Sequence, residues 1–97
     1  MVSKLLDQHF DFTRDTLSQE LSGETVLLKL TDEQYFGLDQ IGTRVLQGLV
    51  EESTPANIIE SMLSEYEVSR EKLTADVAEL VNQLLEAGLI SIRSETG

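Results

Sequence analysis

Two kinds of hydrophobic pattern divide the chain near residue 39. Before it, apolar residues come in short runs separated by polar turns, whereas after it they recur every three or four residues. Short alternating runs are typical of half-buried strands, and the wider spacing is typical of one face of a helix. The pattern therefore predicts strands first and helices afterwards.

The strand half of the chain predicts a three-stranded meander. The run "ETVLLKL", residues 24–30, alternates between two faces. Gly23 before it tolerates a positive φ, which predicts a hairpin with a first strand near residues 13–21. After the polar turn "TDE", the short aromatic run "QYFGL" contains a glycine, as edge strands often do. One face of the middle strand carries Val26, Leu28 and Leu30, and the other carries Thr25, Leu27 and Lys29.

Three helices follow, each with a start signal. Asp39 is a predicted N-cap, so the first helix begins at about Gln40. Thr54 caps well and is followed by Pro55, which fits the first helical position. Ser69 caps the third helix, which ends near a glycine, and the "LISI" after it either forms a short strand or packs down. The apolar faces are Ile58, Ile59, Met62, Leu63 and Tyr66 in the second helix, and Leu73, Val77, Leu80, Val81, Leu84 and Leu85 in the third.

This order of elements predicts an α+β fold. The 97 residues suffice for one core and are too few for two. A three-stranded antiparallel sheet packed on a three-helix bundle is a winged helix-turn-helix-like arrangement. We expect a flexible N-terminal arm at 1–11, one domain at 12–93 and a flexible tail at 94–97.

Charge narrows the class of partner. Eighteen acidic residues oppose seven basic ones, giving a formal charge of −11. Binding to nucleic acid or an anionic membrane needs Lys and Arg, so neither partner is expected. A basic peptide or protein fits this surface better. Because the chain has no signal-peptide pattern and no apolar run of membrane-spanning length, we expect a cytoplasmic protein.

No catalytic or metal-binding constellation stands out in the sequence. There is no cysteine, and the single histidine, His9, has no metal-ligand partner at a familiar spacing. The glycines at 37, 42 and 48 are too far apart for a phosphate-binding loop, and no serine lies in a Gly-flanked elbow. We therefore expect no enzyme, no metal and no cofactor, and the functional classes that remain are binding and assembly.

The runs "GETVLLKLTDEQYFGLDQIGTRVLQGL" and "TPANIIESMLSEYEVSREKLTADVAELVNQLLEAGLI" resemble the PqqD-like family. These proteins recognise precursor peptides in pathways that make peptide products ribosomally, and the similarity is greatest to the small stand-alone members of lasso-peptide clusters. It covers about residues 13–92. Asp39 stands where relatives often have Asn, and Leu46 where lasso-type members often have Trp, so the type of peptide product stays open.

The resemblance implies that the protein is a peptide chaperone without chemistry of its own. The leader of a precursor peptide would add as a strand beside the third strand and lie against the third helix. The protein would then deliver the precursor to a leader peptidase or other maturation enzyme. The candidate peptide-binding residues are Gln34, Tyr35, Phe36, Gly37, Leu38, Lys72, Leu73, Asp76, Val77, Leu80 and Gln83.

Elementary physics supports this role for an open strand edge. Its N–H and C=O groups pair with any extended peptide, while neighbouring side chains select among peptides. Phe36 and Leu38 share one strand face and are expected mainly in the core, whereas Tyr35 and Gly37 face the other way. Two alternatives stay open at this point: a winged-helix transcriptional regulator, which the charge disfavours, and an adaptor that oligomerises through the strand edge.

Overall fold

A computed structural model describes residues 5–51 and 53–93 of the protein. In this part of the chain, three of the strands form one sheet, two short strands form another, and three helices pack with them. The elements are β1 (Phe10–Phe12), β2 (Thr16–Leu21), β3 (Glu24–Lys29), β4 (Gln34–Leu38), α1 (Gln40–Val50), α2 (Pro55–Leu63), α3 (Arg70–Glu86) and β5 (Ile90–Ile92).

Strands β2, β3 and β4 form the predicted antiparallel meander, in that spatial order. The middle strand alternates as the sequence indicates, and Thr25 and Leu27 are its buried residues, at 2% and 0% exposure. Helix α1 packs against this face of β3. The α+β prediction of a three-stranded sheet on three helices is thus confirmed.

The N-terminal segment differs from the predicted arm. Strand β1 pairs antiparallel with β5, which joins Phe10 to Ile92, and the Phe10 side chain is only 1% exposed. The Arg93 guanidinium also pairs with Asp11 at 2.6 Å. Residues 10 and 11 therefore belong to the folded domain, and no local pattern reveals this because their partners lie about eighty positions away. Residues 1–4 and the predicted tail at 94–97 lie outside the described residues.

The first strand of the meander is shorter than the predicted span of 13–21. It begins at Thr16, because Thr13 takes part in the turn that leads out of β1. The backbone N–H of Thr13 donates to Leu89 O at 3.0 Å, and its hydroxyl donates to Gly88 O at 2.7 Å. These bonds attach the start of the meander to the end of α3.

The three predicted helix starts are confirmed by their cap geometry. Each cap residue is extended, and its side-chain oxygen accepts a hydrogen bond from a backbone N–H three residues later, which satisfies one of the free donors of the first turn. The three bonds are Gly42 N to Asp39 Oδ1 at 2.8 Å, Asn57 N to Thr54 Oγ1 at 3.2 Å, and Lys72 N to Ser69 Oγ at 3.1 Å.

One apolar core lies between the sheet and the helices. It includes residues from both sheets and all three helices, and the buried hydroxyls of Thr25 and Thr43 share a hydrogen bond of 2.7 Å inside it. Because the hydroxyls satisfy each other, their burial carries little penalty. The buried apolar side chains are Phe10, Leu27, Val45, Leu46, Leu49, Ile58, Ile59, Met62, Leu73, Val77, Val81, Leu84, Leu89 and Ile90.

Helices α1 and α2 approach each other closely at Gly48. A methyl group at this position would stand 2.6 Å from Cγ1 of the buried Ile58. Overpacking costs about 1–3 kcal/mol, and the better helix propensity of alanine returns only about 1 kcal/mol. Gly48→Ala is therefore expected to lower the free energy of unfolding in urea by about 1 kcal/mol.

Gly37→Ala is the matched control for this substitution. Among the described residues, no heavy atom lies within 4 Å of a methyl group built there. The control is expected to unfold like the parent. Equal stability of the Gly48→Ala variant and the parent would contradict the close approach of the two helices.

A polar cluster joins the two sheets and predicts an acid dependence of stability. Hydrogen bonds from Thr31 and then Lys29 lower the pKa of the Asp15 carboxyl from 3.8 to about 2. Lys29 Nζ lies 3.2 Å from Asp15 Oδ2 and also donates to Gly88 O at 3.3 Å. The pKa of Asp15 is therefore lower in the folded protein than in the unfolded chain. The ionised carboxylate stabilises the fold above pH 3.8, and this stabilisation is lost as the pH falls toward 2.

Asp15→Asn is accordingly expected to flatten the fall in stability between about pH 4 and pH 2. Urea unfolding at several pH values measures this directly. Asp7→Asn, which removes another exposed carboxylate, serves as the control. If the parent and Asp15→Asn lose stability in parallel over this range, Asp15 does not contribute to the acid dependence.

Candidate functional site

A groove of about 590 Å³ lies where β4, α1 and α3 meet. Its walls are the C-terminal half of β4, the first turns of α1 and the middle of α3. The groove lies next to the open edge of the sheet. Its lining residues are Gly37, Leu38, Asp39, Ile41, Gly42, Val45, Asp76, Val77, Glu79, Leu80 and Gln83.

The strand-to-helix junction forms one wall of the groove. Asp39 directly follows Leu38, the last residue of β4, and caps α1, so the helix starts directly beside the strand end. Gly42 lets the first turn come close, since a methyl group there would stand 3.2 Å from Leu38 Cβ. The run "GLDQIG", residues 37–42, therefore supplies most of this wall from adjacent residues.

Helix α3 forms the opposite wall and part of the floor. Val77 is buried at 1% exposure and Leu80 is half-buried, so the floor is apolar. Asp76, Glu79 and Gln83 stand exposed along its rim. The rim is thus acidic above an apolar floor, which suits a guest segment that combines apolar and cationic side chains.

One cation lies near the acidic rim. Lys72 Nζ stands 3.3 Å from Asp76 Oδ2, four residues along the helix. Both side chains are more than half exposed, so water screens the pair and it contributes little stability. A cationic group of a bound peptide could therefore replace Lys72 beside Asp76 at small cost.

Six of the eleven sequence-predicted residues line the groove, and five do not. The lining six are Gly37, Leu38, Asp76, Val77, Leu80 and Gln83. Leu73 is 4% exposed in the core, and Phe36 packs against the core from β4. Tyr35 points to the other face of the sheet and is 72% exposed, while Gln34 and Lys72 are exposed beyond the groove.

Five lining residues are absent from the sequence-predicted set. Asp39, Ile41, Gly42 and Val45 come from the strand end and α1, and Glu79 comes from α3. The Asp39 cap is a local signal that α1 starts at the strand end. How α1 and α3 pack to face each other is decided only in the tertiary structure.

The β2–β3–β4 sheet has two edge strands, β2 and β4, and β4 is the one beside the groove. Strand β4 pairs with β3 on one side, and within the described residues no strand pairs with its other side. Strand β2 is also an edge, but its start is bonded to the α3–β5 junction through Thr16, whose hydroxyl donates to Leu89 O at 3.1 Å. The β4 edge thus combines free backbone groups with a neighbouring apolar floor.

Two negative findings apply to the described part of the chain. Within residues 5–51 and 53–93, no three His, Asp or Glu side chains come together as they would to hold a metal ion. No helix in these ranges has the length and apolar character needed to cross a membrane.

Known proteins match this chain in sequence and in fold. The family described as coenzyme PQQ synthesis protein D (PqqD) matches residues 24–90. A solved structure of TbiB1 in complex with the TbiA(beta) leader peptide is 28% identical with a TM-score of 0.79, over 88% of this chain and 99% of that chain. Lasso peptide synthetase B1 complexed with the leader peptide is also 28% identical with a TM-score of 0.80, over 86% and 98%. Among curated protein sequences, none matches this chain.

Proposed function

The chain belongs to the PqqD family, and we propose that it binds the leader of a ribosomally made precursor peptide and delivers the precursor to a processing enzyme. The leader adds as a strand along the free edge of β4 and places side chains in the groove between β4, α1 and α3. The protein itself acts by binding and does no chemistry. The two similar solved structures, each holding a leader peptide, support this proposal.

One observation carries the proposal: the free β4 edge lies beside an apolar groove with an acidic rim. An edge alone pairs with any extended chain and would also promote self-association. A groove alone would have no means of holding the peptide backbone. Together they provide main-chain affinity and side-chain selection, the two components of recognition by strand addition.

The groove specifies which leaders would fit. Val77 and Leu80 offer an apolar floor to one or two anchoring side chains of the guest. Asp76 and Glu79 favour a cationic side chain at the rim. Gly37 adds no side chain to the edge strand, and among the described residues no heavy atom lies within 4 Å of a methyl group built there, so the space beside the guest strand is open. A leader with apolar anchors and at least one Lys or Arg matches all three features.

Processing of a bound leader requires a second protein. A segment held along one edge leaves the rest of the precursor outside the groove, where an enzyme can act on it. The protein then raises the effective concentration of substrate at that enzyme by holding both. We infer that the partner is a leader peptidase or another maturation enzyme. Regulation through duplex DNA is disfavoured by the charge of −11.

Charge reversal at the groove rim is the first test of the proposal. Asp76→Lys is expected to weaken binding of a labelled leader by about tenfold, because a guest cation would meet a positive charge instead of a negative one. Fluorescence anisotropy measures this with a labelled leader peptide that carries apolar anchors and at least one Lys or Arg. The parent affinity is expected near micromolar, which corresponds to about −8 kcal/mol.

Glu71→Lys provides the matched control for this charge reversal. It makes the same change on the same helix, but Glu71 lies outside the residues that line the groove. Both variants are expected to melt within a few degrees of the parent, since both positions are exposed. Equal weakening by both substitutions would show general charge attraction without a groove contact.

Association is also expected to slow as salt rises. Screening shortens the reach of charge from about 30 Å at 0.01 M to about 10 Å at 0.1 M, so steering of a cationic leader by the −11 surface weakens. Stopped-flow fluorescence at several ionic strengths measures the on-rate. A leader with neutral residues in place of Lys and Arg is the control. A salt-independent on-rate for the cationic leader would exclude electrostatic steering.

A further inference from the structure

One face of the β2–β3–β4 sheet carries apolar side chains that no described element covers. The helices pack on the face with Leu27, so the residues alternating with it point the other way. Strand pairing then sets Leu17, Leu28 and Tyr35 side by side in one row across the three strands. We call this the outer sheet face, and its apolar residues are Leu17, Leu21, Val26, Leu28 and Tyr35.

The exposure of these side chains is large for their size. Leu17 is 54% exposed, Leu21 63%, Val26 44% and Tyr35 72%, although all four lie in regular strands. Single exposed apolar residues are ordinary, but a contiguous set on a flat surface marks an interaction site. Tyrosine is also enriched among the residues that dominate binding energy at protein interfaces. The outer sheet face therefore has the composition of an interface core.

Charge decides between a second copy of this chain and a different protein as the occupant. Glu24, Asp32 and Glu33 stand exposed around the outer sheet face, and each copy carries a formal charge of −11. Two such copies would oppose each other, whereas a surface ringed by Lys and Arg would be attracted. Five of the seven basic residues are engaged with carboxylates, as Lys29, Arg44, Arg70, Lys72 and Arg93 each form an ion pair.

The outer sheet face is continuous with the β4 edge. Tyr35 belongs to both, because it lies on the edge strand and its side chain points to the outer side. A strand added at β4 would extend the sheet, and every second side chain of that strand would join the outer sheet face. A protein bound there would contact this chain and its peptide together.

We propose that the outer sheet face docks the processing enzyme, through an apolar contact surface on that enzyme ringed by cationic side chains. This inference rests on the proposed function, since the enzyme is the one that receives the leader. Because the bound leader widens the docking surface, the enzyme binds the loaded protein more tightly than the empty one. Loading and docking are thereby coupled without a conformational change in the protein.

Two substitutions on β2, the edge far from the groove, test the proposal. The double variant Leu17→Thr/Leu21→Thr keeps strand-favouring residues while removing apolar surface. Binding to a purified leader peptidase that cleaves the bound precursor is measured by biolayer interferometry, with and without saturating leader. Val50→Thr/Ile92→Thr is the matched control, since Val50 is 47% exposed and Ile92 is 49% exposed on other surfaces.

The expected result is a loss of at least about tenfold in peptidase affinity for the β2 double variant, with leader affinity within about twofold of the parent and the control unchanged. Unchanged peptidase affinity of a folded β2 variant would overturn the proposal. So would sedimentation showing a parent dimer that the β2 variant dissociates, because a second copy would then cover this face. If the parent binds peptidase but no leader, and the β2 variant loses the peptidase, the proposed function fails while the docking surface stands.

Discussion

Packing of a three-stranded sheet on helices through one face only is the constraint on which the rest of this structure depends. Leu27 has no exposed surface and α1 packs against its strand, so the register of β3 is fixed by burial. The same constraint points Val26 away from the core. A sheet of three strands packed on one side keeps two edges and one face free, and those free surfaces are where binding is proposed.

The short β1–β5 pair joins the two ends of the described chain and does not pair with β4. Phe10 enters the core from the N-terminal side, and β5 continues from the end of α3. The Asp15, Thr31 and Lys29 cluster then attaches β2 to the end of α3 through Gly88. These hydrogen bonds and this ion pair are concentrated at the start of β2, and the β4 edge stays available for strand pairing next to the groove.

Acidity acts on both proposed surfaces in the same direction. The groove rim carries Asp76 and Glu79, and the outer sheet face is bordered by Glu24 and the turn before β4. A cationic leader and an enzyme with a cationic rim are both attracted, while a second copy is repelled. Negative charge thus reduces the hazard of an exposed strand edge, which otherwise invites pairing between identical chains.

Local chemistry let the sequence determine the meander, the three helix starts at Asp39, Thr54 and Ser69, and the α+β class, because turns, caps and periodicity are short-range properties. It also singled out β4 and the Asp76 to Gln83 stretch of α3 as candidate site. Tertiary structure alone decided the pairing of Phe10 with Ile92, the contribution of Ile41 and Val45 to the groove, and which face of β3 the helices cover. These depend on contacts between residues distant along the chain and on which strand face the helices cover, and no local pattern encodes either.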